Sequence, residues 1–101
     1  MDIEIKIEDV QLIMGDLFSP GFQACLDSTY CGQCEDNCTS VKIEKLWLNH
    51  LGDVIVEGSC KKCNGKTNRY IETGEHAESY DQAMAIRELQ IDLLKCYNTR
   101  F

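Results

Sequence analysis

The sequence predicts an α+β fold in which a small antiparallel sheet of three strands is flanked by N-terminal helices and a C-terminal helix. Apolar residues recur at helical spacing near both ends, whereas β-branched residues and turn signals alternate in the centre. Two Cys-x2-Cys pairs bracket the central hairpin. With 101 residues, 44% apolar and 27% charged, we expect a single domain over 1–101. Its parts are a helical segment 1–29, a sheet 30–73 and a helix 78–97.

The N-terminal segment combines two kinds of apolar spacing. Isoleucines alternate over residues 3–7, which favours a short extended lead-in. Apolar residues at helical spacing then predict a helix over residues 8–18. Ser19-Pro20 is typical of an N-cap followed by the first position of a helix. We therefore expect a second short helix that ends near Asp27.

The centre of the chain has the composition of a sheet. Residues 39–73 are rich in β-branched and aromatic residues interrupted by turns. A first strand begins near residue 41, residues 51–53 supply a turn, a return strand begins at residue 54, and a third strand covers residues 67–72. Alternation along the first strand places Val41, Ile43 and Trp47 on one face and Leu46 and Leu48 on the other. We expect the terminal helices to cover one side of this sheet.

The last segment predicts one long helix. Ser79 followed three residues later by Gln82 matches a capping box, and the helix should run to about Tyr97. Its apolar stripe is wide, comprising Tyr80, Ala83, Met84, Ile86, Leu89, Ile91, Leu93, Leu94, Cys96 and Tyr97. Core packing is the expected use of this stripe, and the part left over could serve self-association.

The net charge of −7 is unevenly distributed. Residues 1–40 carry eight acidic side chains and one basic, residues 41–70 carry three and six, and residues 71–101 carry six and three. Acidic ends repel nucleic acid and anionic lipid at long range, while the basic centre could still make a local contact. Neither a bilayer-spanning apolar run nor a signal peptide is visible, so we expect a cytoplasmic protein with no membrane partner.

The cysteines are the strongest chemical signal in the sequence. A reducing compartment and an odd count of seven disfavour a disulfide framework. Cys31 and Cys34 form one Cys-x2-Cys pair, and Cys60 and Cys63 form the other. Two such turns can bring four sulfurs to one ion, and Zn²⁺ prefers this tetrahedral set. We predict one structural Zn²⁺ bound by these four residues, with glycine or asparagine in the adjoining turns at Gly32 and at Asn64-Gly65.

From residue 30 to residue 73 the chain resembles the zinc-ribbon family, in which two cysteine knuckles at strand ends grip one structural zinc. The resemblance implies that Cys31 and Cys34 form the first knuckle and that Cys60 and Cys63 form the second. The chain departs from the family in a long insert between the knuckles, in having no glycine directly after Cys34, and in the additional thiol of Cys38. Zinc ribbons serve many functions, so the resemblance alone transfers none.

The same cysteines permit other interpretations. Cys31-Gly32-Gln33-Cys34 is similar to a thioredoxin dithiol, but the sequence that follows is β-rich and Pro20 lies upstream. Iron suits four thiolates, although we expect zinc in preference to it. We expect Cys25 and Cys96 to be small core residues, Cys38 to be more exposed and open to a ligand role, and His50 and His76 to lie in surface loops.

The sequence predicts a protein that is not an enzyme, because four cysteine ligands leave zinc no open position and no other catalytic motif is present. The leading hypothesis is a binding or adaptor module that contacts a partner protein, with Trp47, Leu48 and Tyr70 as candidate contact residues, although for Trp47 the sheet core is the preferred location. The alternative is nucleic-acid binding by the basic run 61–69, which contains Lys61, Lys62, Lys66 and Arg69. A third hypothesis is a redox or enzyme-accessory subunit.

Overall fold

The chain folds into an antiparallel sheet with helices packed on one face. A computed structural model describes residues 2–37 and 41–98, without the side chains of residues 36, 37 and 96–98. The strands of these residues are β1 Ile3–Ile5, β2 Tyr30–Cys31, β3 Asp36–Asn37, β4 Val41–Leu48, β5 Val54–Cys60 and β6 Lys66–Ile71. The helices are α1 Ile7–Met14, α2 Phe18–Asp27 and α3 Ala77–Asn98, with short 3₁₀ turns at Gly15–Leu17 and Thr73–Glu75. The α+β class and the antiparallel sheet are thus confirmed.

The main sheet has four strands in the order β1-β4-β5-β6, so the prediction of three strands was wrong. The additional strand is the isoleucine lead-in, in which Ile3 pairs with Leu48 and Ile5 with Leu46. Both isoleucines are buried. The alternation of isoleucines predicts an extended segment but not its partner. The segment becomes a strand of the sheet by pairing with residues more than forty positions away.

A β-bulge in β4 changes which residues share a face. The register with β5 shifts between Ile43 and Lys45, so one extra residue enters β4 and inverts the alternation. Val41 opposite Cys60 therefore lies on the same face as Leu46 opposite Val56. The predicted separation of Val41 from Leu46 and Leu48 was wrong, because strict period-two alternation does not include a bulge.

We call the sheet face covered by helices the inner face and the opposite one the outer face. Leu48 lies on the inner face with no exposed surface, so its predicted role as a contact residue was wrong. Trp47 is opposite Ile55 on the outer face and is only half-buried, so the expected place in the core was also wrong. Tyr70 shares the outer face and is 61% exposed.

The hairpin turn and the last strand match their predictions closely. The side-chain oxygen Oδ1 of Asn49 accepts hydrogen bonds of 2.9 Å from the backbone N–H groups of Leu51 and Asp53. This closes the connection from β4 to β5 and gives the buried side chain of Asn49 two hydrogen bonds within the turn. The third predicted strand, 67–72, is observed as β6.

Helix α2 ends at Asp27 as predicted, whereas α1 covers Ile7–Met14 and ends four residues before the predicted end at residue 18. Helix α1 ends at Met14 because Gly15, with φ of 55°, breaks the helical conformation. The backbone of Ser19 is extended, with φ −117° and ψ 117°, and separates Phe18 from the rest of α2. The predicted break at Ser19-Pro20 is therefore present inside α2.

Helix α3 starts two residues earlier than its predicted cap. The N–H of Tyr80 donates to the carbonyl of His76 at 2.8 Å, which places Ser79 inside the helix, where it is buried. The predicted capping box was therefore wrong. Ala83 is fully buried, whereas Leu89, Leu93 and Leu94 farther along the helix are more than half exposed.

The core lies between the inner face and the helices. It is built from Ile5, Val10, Ile13, Met14, Phe22, Leu26, Val41, Leu46, Leu48, Val54, Val56, Ile71 and Ala83, together with Cys31 and Cys60. The two cysteines place one end of this core directly beside the predicted metal site. In the described part of the chain, no helix has the length and apolar character needed to cross a membrane.

Candidate metal centre

The first cysteine knuckle is a short hairpin made by β2 and β3. Cys31 pairs with Asp36 across this hairpin, and Cys34 lies in the turn between the strands. The N–H of Cys34 donates to the Sγ of Cys31 at 3.4 Å, so the backbone already points a donor at the sulfur. Glu35, directly after Cys34, has a left-handed backbone with φ of 56°.

The second knuckle joins β5 to β6. The N–H of Cys60 donates to the carbonyl of Gly65 at 2.8 Å, and the carbonyl of Cys60 accepts from the N–H of Asn64 at 2.8 Å. The N–H of Gly65 donates to the Sγ of Cys63 at 3.4 Å. Asn64, directly after Cys63, has φ of 61°, as predicted for this turn. The two knuckles therefore have the same design, in which the residue after the second cysteine turns left-handed and amide groups point at sulfur.

The two knuckles meet at the end of the sheet. The hydroxyl of Thr67 on β6 donates to the carbonyl of Tyr30 on β2 at 3.1 Å, which holds the first hairpin beside the second knuckle. Close packing completes the contact, since a Cβ added to Gly65 would lie 3.2 Å from the Sγ of Cys63 and 3.3 Å from the Cβ of Gln33. A side chain at this position would therefore have to displace Gln33.

The four predicted cysteines come together. Their Sγ atoms all lie within 4.8 Å of one another; the Sγ atoms of Cys31 and Cys63 are 3.5 Å apart, and those of Cys34 and Cys60 are 4.0 Å apart. Cys31 and Cys60 are fully buried, while Cys34 and Cys63 are half-buried. The close pairs cross between knuckles, so neither knuckle forms the cluster alone.

The donor set fits a tetrahedral thiolate-bound ion. With a Zn–S distance of about 2.3 Å, the sulfurs of a tetrahedral site lie about 3.8 Å apart, and the two measured separations fall on either side of that value. A disulfide needs about 2.05 Å, and none of these four cysteines is in a disulfide. Comparisons with protein-family models, curated proteins and solved structures give no significant match to this chain.

The thiols perturb one another when no cation is present. The N–H of Cys34, together with the neighbouring thiols, lowers the pKa of Cys31 below its usual value despite burial. The hydrogen bond with Cys63, followed by burial, raises the pKa of Cys34 to about 12. Like charges in one small site cannot all ionise. A divalent cation removes this conflict because it favours the thiolate form of every member.

Other candidate residues lie away from the cluster. Cys25 is half-buried and packs against the core, close to the expected role. His50 and His76 are exposed in loops, as predicted. Cys38 and the side chain of Cys96 lie outside the described parts of the chain. Gly32 was expected to provide an unusual backbone angle, but it is not among the described residues with positive φ.

The left-handed backbone of Glu35 in the first knuckle was not predicted from the sequence. Its left-handed φ corresponds to that of Asn64 in the second. Aligning the two knuckles by their cysteines would have identified the position, because Glu35 and Asn64 each follow the second cysteine of their pair. The position was not recognised because it holds a glutamate, which rarely adopts a left-handed backbone.

Proposed function

We propose that this chain is a non-enzymatic, zinc-ribbon-like binding module whose two knuckles are held together by one structural Zn²⁺. Cys31, Cys34, Cys60 and Cys63 would supply all four ligands. The observation that carries the proposal is the convergence of these four Sγ atoms within 4.8 Å. Four protein ligands complete a tetrahedral site, and a catalytic zinc normally keeps one position open for water or substrate. The proposed role of the ion is therefore structural.

The proposed ion would add a bond to the hydrogen bond and packing contacts that join the first hairpin to the main sheet. The first hairpin is a two-stranded sheet of its own, and isolated two-stranded hairpins are marginal in water. Structural zinc contributes apparent binding free energies of about 10–16 kcal/mol in small peptides, similar to the total stability of a domain. Zinc is preferred over iron because the site suggests no electron-transfer role.

A partner protein is the proposed target of the module. A structural zinc stabilises the fold, and binding of a partner then depends on the residues of the protein surface. Within the described residues no helix packs on the outer face of the sheet, which presents Trp47 and Tyr70. Aromatic residues of this kind are enriched at interface hot spots, which supports a protein contact on this face.

The metal proposal predicts different outcomes for two cysteine variants. Cys60→Ser should lose the metal and unfold the sheet, because Cys60 is a fully buried ligand candidate at the end of β5. Cys25→Ser, outside the site, should retain one equivalent of metal and lose about 1 kcal/mol of stability. Elemental analysis identifies the ion, and thermal unfolding with and without chelator measures its contribution. Equal metal content and melting of the two variants would contradict the proposal.

The second candidate is nucleic-acid binding by the basic run, favoured by the exposed positions of Lys61, Lys62 and Lys66 beside the metal site. Arg69 supports it less, because this side chain is half-buried and its Nε is enclosed without a hydrogen-bond partner. Binding of this kind should be salt-sensitive and weaker after replacement of Lys61 and Lys62 by glutamine. Titration with single-stranded DNA and RNA at low salt decides, since no binding there removes this candidate.

The third candidate, a redox or accessory subunit, would use the same thiols in another way. Its cysteines would react with a thiol reagent whether or not chelator is added. Under the structural proposal, chelation is required before the four thiols become reactive, because metal-bound thiolates are protected ligands.

A further inference from the structure

The outer face of the sheet contains a cleft between two aromatic side chains. Trp47 on β4, Ile55 on β5 and Tyr70 on β6 lie directly opposite one another in register. Ile55 is buried although none of the helices in residues 2–37 and 41–98 covers this face, and Trp47 and Tyr70 flank it on either side. The cleft has a volume of about 330 Å³, at the lower end of the range for small ligand sites.

The polar lining of this cleft is acidic. Its other lining residues are Asp2, Glu57 and Asn68, which contribute two carboxylates and one amide. Glu57 is half-buried in the middle of the outer face and lies opposite Lys45 of β4 in register, so an incoming guanidinium would compete with this lysine for the carboxylate. Phosphate groups, in contrast, would be repelled by both carboxylates.

The Trp47 ring already interacts with a cation. The Nζ of Lys45 lies 5.6 Å from the centroid of this ring, within the range of a cation–π contact. Cation binding at an aromatic ring is strengthened when carboxylates lie nearby, since both attract the same charge. The cleft thus combines aromatic faces, an apolar floor and negative charge.

We propose that this cleft binds the side chain of an arginine from a partner protein. The guanidinium is planar, stacks on aromatic faces and donates paired hydrogen bonds to carboxylates, which matches the lining residue types. The net charge of −7 favours encounter with a basic partner segment. The inference rests on the proposed protein-binding function and specifies the chemistry of the ligand.

The experiment uses the full metal-loaded chain and the emission of Trp47, which is the single tryptophan of the sequence. The probe is a Gly-Ser peptide with one central arginine, titrated at about 150 mM salt so that long-range charge attraction is screened. The same peptide with glutamine in place of arginine is the control. We expect a saturable change in emission with the arginine peptide alone.

Charge-changing variants on the outer face separate an arginine from a nucleic-acid ligand. Glu57→Gln should weaken the arginine peptide at least about threefold through loss of a charge-assisted hydrogen bond. Lys45→Gln should tighten it about twofold by removing a competing cation from the Trp47 ring. A nucleic-acid ligand would show the opposite sign for both variants. Glu88→Gln, an equal charge change on the exposed surface of α3, should leave peptide affinity unchanged.

The aromatic wall is tested by Tyr70→Ala and Tyr70→Phe. Alanine should weaken the peptide about fivefold, whereas phenylalanine should retain affinity because stacking needs the ring and not the hydroxyl. Equal binding of the glutamine peptide, opposite signs for the charge variants, or an unchanged affinity of Tyr70→Ala would each overturn the inference. Metal content measured on the same samples separates the two proposals: metal without arginine binding refutes the cleft alone, and absence of metal refutes the proposed fold-stabilising function.

Discussion

At the scale of single residues, the two knuckles differ in how well their sequences suit their backbones. Asn64 adopts the left-handed conformation with φ of 61°, and asparagine tolerates it. Glu35 adopts the same conformation with φ of 56°, at a cost of about 1–2 kcal/mol for an ordinary side chain. The first knuckle therefore contains a local strain that the assembled metal site must offset.

This strain predicts a stabilising substitution. Glu35→Gly should raise the free energy of unfolding of the metal-loaded protein by about 0.5–1 kcal/mol, because glycine removes the left-handed penalty but also adds entropy to the unfolded chain. Thermal unfolding in the presence of excess metal measures the change. Glu35→Ala is the control, since it removes the same carboxylate but keeps a Cβ in the left-handed conformation, and we expect no comparable gain. A lower melting temperature for Glu35→Gly would contradict the prediction.

The candidate ligands could be predicted from the sequence because a Cys-x2-Cys turn is local information. Each pair brings its two sulfurs together through a single turn. The contact between the two pairs depends on the fold, in which Thr67 and Gly65 lie where the two knuckles meet. The conformation of Glu35 was not predicted, because it follows from the geometry of the knuckle and opposes the preference of the residue.

At the scale of elements, the central hairpin was predictable and the faces of its first strand were not. β-branched residues and the turn after Asn49 define β4 and β5 from local sequence alone. The bulge at Ile43 and Lys45 arises from the pairing of the strands. Gly58 opposite Ile43 shows how close that pairing is, because a Cβ there would collide with the carbonyl oxygen of Lys42. A period-two prediction cannot contain such a contact, so it placed Trp47 on the same face as Val41, whereas the bulge puts the two residues on opposite faces.

Elements near the ends of the chain depended still more on distant partners. The strand β1 exists through its pairing with β4, and helix α3 begins at Ala77 and not at the local Ser79 signal. Ser79 is buried against the rest of the molecule, so tertiary packing extends the helix beyond the capping pattern. For α3 the local signals therefore predicted the helix but not its first residue, and for β1 they predicted an extended segment but not its pairing with β4.

At the scale of the whole molecule, basic side chains gather at the second knuckle. Helix α3 carries four of the six acidic residues of segment 71–101, whereas Lys61, Lys62 and Lys66 are exposed around the second knuckle. Four thiolates and one Zn²⁺ would carry a net charge of −2, which these lysines can offset. The basic run thus has an electrostatic use at the proposed metal site that requires no nucleic acid.

Metal binding and proton release should be coupled across the molecule. In the metal-free protein the pKa of Cys34 is raised to about 12 by its contact with Cys63 and by burial, so this thiol is protonated at neutral pH. Zinc binds the thiolate form, and binding must therefore release at least the proton of Cys34. As the pH falls the remaining thiolates are protonated, and zinc affinity should decrease by about tenfold per pH unit for each proton displaced.

Calorimetric zinc titration at neutral pH in two buffers of different ionisation enthalpy measures this release. We expect the observed enthalpy to differ between the buffers, and we expect Cys34→Ser to release fewer protons, whereas Cys25→Ser should match the unmodified chain because Cys25 lies outside the cluster. Acidification should remove zinc and melt the sheet together, because the same ion holds both knuckles. Identical enthalpies in the two buffers, or a sheet that stays folded after the zinc has left, would show that the four sulfurs do not hold this domain together through a metal.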